Sequence, residues 1–200
     1  MSVEQLPLME AFRTIQGEGA HTGKASYFLR IGGCDVGCHW CDVKESWDAA
    51  LHPMTSLQDI VDLPEENDNM VVITGGEPLM WNMDTLTQSL KAKGKAIHLE
   101  TSGAWPVSGS WDWICLSPKK TKTPLPEWYR LANELKVIVY NQDDLKWAQK
   151  HAEMVSTDCE LFLQPEWSKR EAVLPMVVDF IESNPEWRLS LQTHKYIGLP

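Results

Sequence analysis

The chain has 200 residues, 43% of them hydrophobic, with 18 basic against 28 acidic side chains and a formal charge of −10. That size lets a single domain, residues 1–200, bury most of the apolar surface its unfolded form exposes, while the negative balance repels a phosphate backbone and argues against direct contact with nucleic acid. No stretch is long and apolar enough to cross a bilayer, and Met1–Leu8 lacks a basic flank leading into an apolar run, so a cytoplasmic protein without membrane contact is expected.

A strand is expected at Leu8–Thr14 and another at Tyr27–Ile31, followed by a short helix at Ser56–Leu63 entered through Thr55 or Ser56. Further strands are read at Met70–Ile73, Ala96–Leu99, Trp113–Leu116, Leu135–Tyr140, Leu161–Leu163 and Arg188–Leu191. Between them, Asn82–Lys93 stops at Gly94, Gln142–Glu153 carries Leu145, Ala148 and Ala152 at helical spacing, and Ser168–Ser183 is long enough for roughly four turns. The lysines of 91–95 read as the solvated end of a helix. Strands alternating with helices imply an α/β fold with a mostly parallel sheet. Six of the strands end in polar clusters: Gly32-Gly-Cys34, Thr74-Gly-Gly-Glu-Pro78, Glu100-Thr-Ser-Gly103, Ser117-Pro-Lys-Lys120, Gln164-Pro-Glu166 and Gln192-Thr-His-Lys195. Each alone is an ordinary turn or cap. Parallel strands would bring all six to one edge, where such folds place ligands.

Cys34, Cys38 and Cys41 stand in the spacing C-x3-C-x2-C, three of only five cysteines, an odd and crowded set that favours ligation over disulfides. Cys115 and Cys159 fall in apolar runs and read as buried. Thiolates suit both iron and zinc, so the spacing alone leaves both metals open. His39 completes a zinc set on paper, but its place inside the Cys38–Cys41 loop argues against it. A cubane cluster takes one thiolate per iron, so three local cysteines would leave one iron for another molecule to coordinate. Thr74-Gly75-Gly76-Glu77-Pro78 adds two glycines that let backbone approach a ligand and a carboxylate that can accept from an amine.

Cysteines, aromatic Trp40 and Gly-Gly-Glu together resemble the radical S-adenosylmethionine superfamily. Phe12-Arg-Thr-Ile-Gln-Gly-Glu-Gly19, Phe28-Leu-Arg-Ile-Gly-Gly-Cys-Asp35, Cys41-Asp42 and Gln192-Thr-His-Lys-Tyr196 narrow the likeness. From about residue 8 onward, the chain resembles the 7-carboxy-7-deazaguanine synthases of the queuosine pathway. The resemblance implies an open, partial (β/α) barrel that converts 6-carboxy-5,6,7,8-tetrahydropterin into 7-carboxy-7-deazaguanine with loss of ammonia, S-adenosylmethionine being reused. Cys34, Cys38 and Cys41 would hold a [4Fe–4S] cluster. Trp40, Cys41, Asp42, Gly76, Glu77, Glu100, Ser102, Ser117, Pro118, Lys119, Gln164, Pro165, Glu166 and Trp167 would bind S-adenosylmethionine. Ile15, Gln16, Gly17, Glu18, Arg30, Thr74, His194 and the carboxylate of Pro200 would meet the pterin, Arg30 as the counter-charge to its carboxylate.

A reducing partner such as flavodoxin or ferredoxin and a homodimer are also implied. One position departs from the family pattern: the Thr or Ser that follows Cys-Asp and ligates magnesium is Val43 here, whose side chain offers a hard cation nothing. Magnesium then binds through other oxygens and waters, or the protein depends on it less. Two other functions stay open, an activase acting on a partner protein's glycine and a non-catalytic zinc module; the first has no need of Gln16-Gly-Glu18 or Thr193-His-Lys195, and the second needs a fourth ligand.

Overall fold

A computed structural model describes residues 4–200. Its strands are β1 (Gln5–Ile15), β2 (Ala25–Ile31), β3 (Met54–Ser56), β4 (Met70–Gly75), β5 (Ala96–Thr101), β6 (Trp113–Leu116), β7 (Glu134–Val139), β8 (Glu160–Pro165) and β9 (Trp187–Leu189). The helices are α1 (Leu57–Asp62), α2 (Asp84–Ala92), α3 (Pro126–Leu131), α4 (Gln142–Ala152), α5 (Arg170–Ser183) and α6 (Thr193–Tyr196). All nine strands form one sheet in the order β3-β1-β2-β4-β5-β6-β7-β8-β9. Pairing is parallel from β2 to β9 and antiparallel where β1 meets β2 and β3. The two ends of the sheet do not pair, so the expected mostly parallel, open barrel is the architecture found.

Period-two alternation sorts each strand into two faces. Leu29, Ile31, Val71, Ile73, Ile97, Leu99, Ile114, Leu116, Leu135, Val137 and Leu163 belong to one buried apolar cluster, which Leu86 and Leu90 of α2, Leu145 and Ala148 of α4 and Val177 of α5 join. The alternate positions, among them Arg30, Thr74, Glu100, Lys136 and Gln164, point to the opposite face and are largely polar. The helices start where local chemistry satisfies their free N–H groups. Ser56 Oγ accepts from Asp59 N at 3.1 Å ahead of α1, and Asn141 and Asp144 form a reciprocal capping box at α4.

Element bounds differ from the sequence expectation by a few residues, and three elements were not anticipated. β3 has only three residues and is recruited by pairing with Gln5–Pro7. α3 opens on Pro126, a residue preorganised for a first helical turn. α6 is one turn, formed where the tail docks. Lys95 departs from the solvated-helix reading: it is 7% exposed and its ammonium donates to the carbonyls of Glu65 and Glu66, at 2.5 and 3.2 Å.

The polar strand ends share one edge because β2, β4, β5, β6, β8 and β9 run the same way. At that edge Gly75 has φ +126°, and a Cβ would collide with the backbone oxygen and nitrogen of Ile31 on β2. Gly75→Ala is therefore expected to cost about 3 kcal/mol, visible as a drop of roughly 6–12 °C in thermal midpoint for a chain of this size. An unchanged midpoint would refute the close β2–β4 approach.

Candidate active site

The cysteine segment leaves β2 and is tied back to the sheet by the Gly-Gly-Glu turn. Gly76 N donates to Ile31 O at 2.9 Å, and Glu77 N to Gly33 O at 2.8 Å. Gly33 N and Cys34 N donate to the carbonyls of Ser46 and Trp47, at 2.7 and 3.1 Å. A Cβ on Gly76 would strike the Gly33 carbonyl and the Cys34 side chain, so this glycine is a packing requirement of the loop. Cys34, Cys38 and Cys41 line one wall of a cavity of about 230 Å³. Burial raises the pKa of the Cys34 and Cys38 thiols, with the charge of Lys119 pulling Cys38 the other way. Among the described residues, no three His, Cys, Asp or Glu side chains are gathered as ligands of one ion would be. Three cysteines along one wall suit a polynuclear cluster, which takes each thiolate at a separate iron.

Trp40, Asp42, Gly76, Glu77, Glu100, Ser102, Ser117, Lys119 and Gln164 line the same cavity. Pro118 lies in a neighbouring recess of about 180 Å³ behind Trp40, and Pro165, Glu166 and Trp167 in a small one of about 50 Å³. The carboxylate of Glu77, 1% exposed, is fully engaged by the protein. It accepts from Thr101 Oγ1 at 2.7 Å, Ser102 N at 2.8 Å, Ser102 Oγ at 2.5 Å and Leu79 N at 3.2 Å. This geometry makes it a brace between β4 and β5 and leaves it no free oxygen for an amine. Glu166 likewise caps the next turn, accepting from Ser168 and Lys169. Lys119 donates to Ser117 O and Oγ, at 2.7 and 2.5 Å, and burial lowers its pKa.

A second cavity of about 180 Å³ is lined by Ile15, Gln16, Gly17, Glu18, Arg30, Thr74, His194 and Pro200, with Phe28, Asp42, Val43, Gly75, Glu100 and Gln192. It exists because the connection from β1 to β2 folds across the polar face of the sheet. Gly19 N donates to Ser190 Oγ at 2.9 Å and Ala20 N to Glu134 Oε2 at 3.1 Å, while Thr193 N and Oγ1 both donate to Gly17 O at 2.9 Å. Arg30 pairs with Glu10 at 2.9 Å and stacks over Phe12, 5.1 Å from its ring centre. Burial lowers the pKa of His194, although Glu18 opposes it.

Lys136 and Glu134 do not figure in the sequence reading, and Gln192 and Lys195 figure there only as members of the terminal motif, with no role of their own. Lys136 Nζ, on a side chain 3% exposed, donates to Glu18 Oε2 at 2.6 Å and Glu100 Oε2 at 2.8 Å. Gln16 Nε2 reaches Glu100 Oε1 at 3.2 Å, and Gln192 Nε2 reaches Glu18 Oε1 at 2.9 Å. Burial alone would raise the Glu18 carboxyl, but the charge and hydrogen bond of Lys136, with Gln192, hold it at about 2. Burial works against the Lys136 ammonium too, and the surrounding acids keep its pKa well above the ordinary value. Glu134 is pushed up by burial. Lys195 forms an ion pair with Asp42. A charge inside a largely apolar strand generally needs a partner, and Lys136 on β7 is such a charge, as Arg30 on β2 is.

Residues 15–156 match the family described as a 4Fe-4S single cluster domain. A 7-carboxy-7-deazaguanine synthase from Flavobacterium psychrophilum is 60% identical over 197 residues, 98% of this chain and 94% of that protein. One from Synechocystis is 47% identical over 194 residues, 96% of this chain and 93% of its own length. The crystal structure of QueE from Escherichia coli superposes with a TM-score of 0.83 at 30% identity, covering 95% of each chain.

Replacing Glu77 by Gln leaves one acceptor oxygen for four donors and sets an amide N–H₂ against one pair of them. The expected loss is about 2 kcal/mol, measured by denaturant unfolding. Wild-type stability in Glu77→Gln would remove the brace.

Proposed function

The chain belongs to the 7-carboxy-7-deazaguanine synthases, and on that premise we propose that its two adjoining cavities hold the two reactants of that family's reaction. The enzyme converts 6-carboxy-5,6,7,8-tetrahydropterin into 7-carboxy-7-deazaguanine with release of ammonia, a step in queuosine biosynthesis. It is a radical S-adenosylmethionine enzyme with a [4Fe–4S] cluster. Held by Cys34, Cys38 and Cys41, a reduced cluster would supply the electron for radical chemistry on S-adenosylmethionine, whose reactive carbon the protein would have to hold beside C6 of the pterin.

The observation that carries the division is the shared wall: Glu18, Asp42, Thr74, Gly75, Glu100 and Gln192 line both cavities. Ligands in the two cavities therefore meet, as transfer of a hydrogen between them requires. In this reading Cys34, Cys38 and Cys41 hold the cluster. Lys119 and Ser117 take the carboxylate end of S-adenosylmethionine, and the small recess beyond Ile138, walled by Gln164 and Trp167, takes part of its nucleoside. Gln16, Gly17 and the ionised Glu18 read the donor edge of the pterin, and the free donors of Arg30 face its carboxylate, with His194 and Pro200 closing that side. Glu77 acts by holding Ser102 in place. We further propose a one-electron donor such as flavodoxin or ferredoxin, a homodimer, and a cytoplasmic location. No helix among the described residues is long and apolar enough to cross a membrane.

The residues at the family's magnesium position do not fit that ion. Val43 offers no side-chain oxygen, and its carbonyl accepts from Ser46 N and Oγ, at 3.1 and 2.6 Å. The neighbouring Asp42 carboxylate is paired with Lys195 and approached by Gln192 at 3.4 Å. The Lys195 ammonium balances the Asp42 charge that would otherwise draw a cation, so no step here is routed through the metal.

Two experiments test these assignments. Anaerobic reconstituted protein given reductant, S-adenosylmethionine and 6-carboxytetrahydropterin is expected to yield 7-carboxy-7-deazaguanine in large excess over cofactor consumed. Formation of 5′-deoxyadenosine alone would defeat the substrate assignment. In the same assay, a chelator is expected to reduce the rate by less than about twofold, whereas Val43→Thr should gain a clear magnesium dependence. Strong chelator sensitivity in the unaltered enzyme would contradict this account of Asp42 and Lys195.

A further inference from the structure

Lys136 sits mid-strand on β7 with its ammonium between carboxylates from two distant elements, Glu18 on the β1–β2 connection and Glu100 on β5. Those carboxylates keep 19% and 20% side-chain exposure, and both line both cavities. Their second oxygens are held by Gln192 and Gln16. The other titratable or charged groups facing this cluster are Glu134 on the same strand, Cys115 on β6, Lys119 beyond β6, His194 on α6, His21 on the β1–β2 connection and Asp42 of the cysteine segment. Burial raises the pKa of Cys115 and of Glu134, and among the described residues the ion pairs of Lys136 are those with Glu18 and Glu100.

We propose that Lys136 is a positioning residue for both reactants: its single ammonium fixes Glu18 at the pterin cavity and Glu100 at the wall shared with the S-adenosylmethionine cavity, setting where the two ligands stand relative to each other. This rests on the division of the cavities proposed above. Hydrogen transfer requires the reacting atoms to approach to about 3–3.5 Å, and a ligand aligned by Glu18 or Glu100 is aligned by whatever holds those side chains. Lysine suits the task because it offers three donors and no acceptor. Without it, two partly buried carboxylates share one wall, repel, and compete for a proton. The acceptor needed by the pterin then exists only when that proton has left.

The test compares Lys136→Met, Glu18→Gln and the double variant with wild type, all as cluster-loaded holoenzyme. For Lys136→Met, KM for the pterin is expected to rise about tenfold or more and KM for S-adenosylmethionine several-fold. Pterin KM should also acquire a pH dependence that wild type lacks, falling as pH rises from about 6 to 8.5, because an acceptor whose pKa has been raised works only above it. A merely structural lysine would lower the melting temperature and leave both KM values and the pH profile on those of wild type; that outcome overturns the proposal.

Where Lys136→Met does not fold, the double variant decides, since it removes one charge of each sign. Relative to Glu18→Gln alone, it should still raise KM for S-adenosylmethionine several-fold through the unanchored Glu100, and equality of the two would refute the role. Glu18→Gln alone separates this inference from its premise. If that variant leaves pterin KM unchanged, the cavity assignment itself fails, whatever Lys136 does.

Discussion

The architecture depends on nine residues, 16–24, that leave an antiparallel edge region and fold across the polar face of the sheet. They can lie there only because Gly17 and Gly19 lack side chains. A Cβ on Gly17 would enter the His194 ring, and one on Gly19, whose φ is +62°, would enter the Glu134 carboxylate. With those atoms absent, backbone comes close enough to bond Ser190, Glu134 and Thr193 directly. Ser190 Oγ then donates to Gln164 Oε1 at 2.7 Å, so β8, β9, α6 and the β1–β2 connection are joined through a few short bonds. An open sheet with one polar face would otherwise leave that face to water; here it becomes the inner wall of a site.

The same fold solves two electrostatic problems in different ways. Toward the cluster loop, a buried carboxylate, Glu77, is saturated by neutral donors from the next strand end and so works as a fastener. Toward the pterin cavity, the acids are balanced by ammonium groups and amides and keep part of their surface open. Burial supports both arrangements, since in low dielectric a satisfied polar group holds its geometry and an unsatisfied one is costly. On the same face, His21 packs against His98 and Trp113 with ring centres 4.5 Å apart in each case, tilted to the first and edge-on to the second. The pKa of His98 falls to about 4 there, chiefly through burial.

Much of the strand framework was legible because it rests on local periodicity. Val71–Ile73 or Leu161–Leu163 can be read as strands from a handful of apolar residues, and the polar punctuation after them marks the ligand edge. Short elements were not legible: β3 is a strand only because Gln5–Pro7 pairs with it, and α6 a helix only because the tail docks on Gly17. The cysteine spacing pointed to a cluster but left zinc open. The finer assignment of Gln16, Glu18 and His194 came from family resemblance, and what spacing cannot supply is that they converge. Glu77 had a ligand role in sequence, yet Thr101 at the end of β5, Ser102 just beyond it and Leu79 together absorb its whole acceptor capacity. Lys136 is visible in sequence as a charge in a largely apolar strand, but its significance lies in two carboxylates 118 and 36 positions away.

Those separations bear on how the protein acquires its two walls as it folds. The cysteine wall is closed by links such as Glu77 N to Gly33 O, between neighbouring parallel strands. The opposite wall requires Gln192 to find Glu18 and Thr193 to find Gly17, 174 and 176 positions apart. Loop closure costs more entropy the longer the loop, and contacts of this range slow folding. During synthesis the cysteine wall has its three thiols early, whereas the pterin wall lacks a side until Gln192 and Thr193 have left the ribosome.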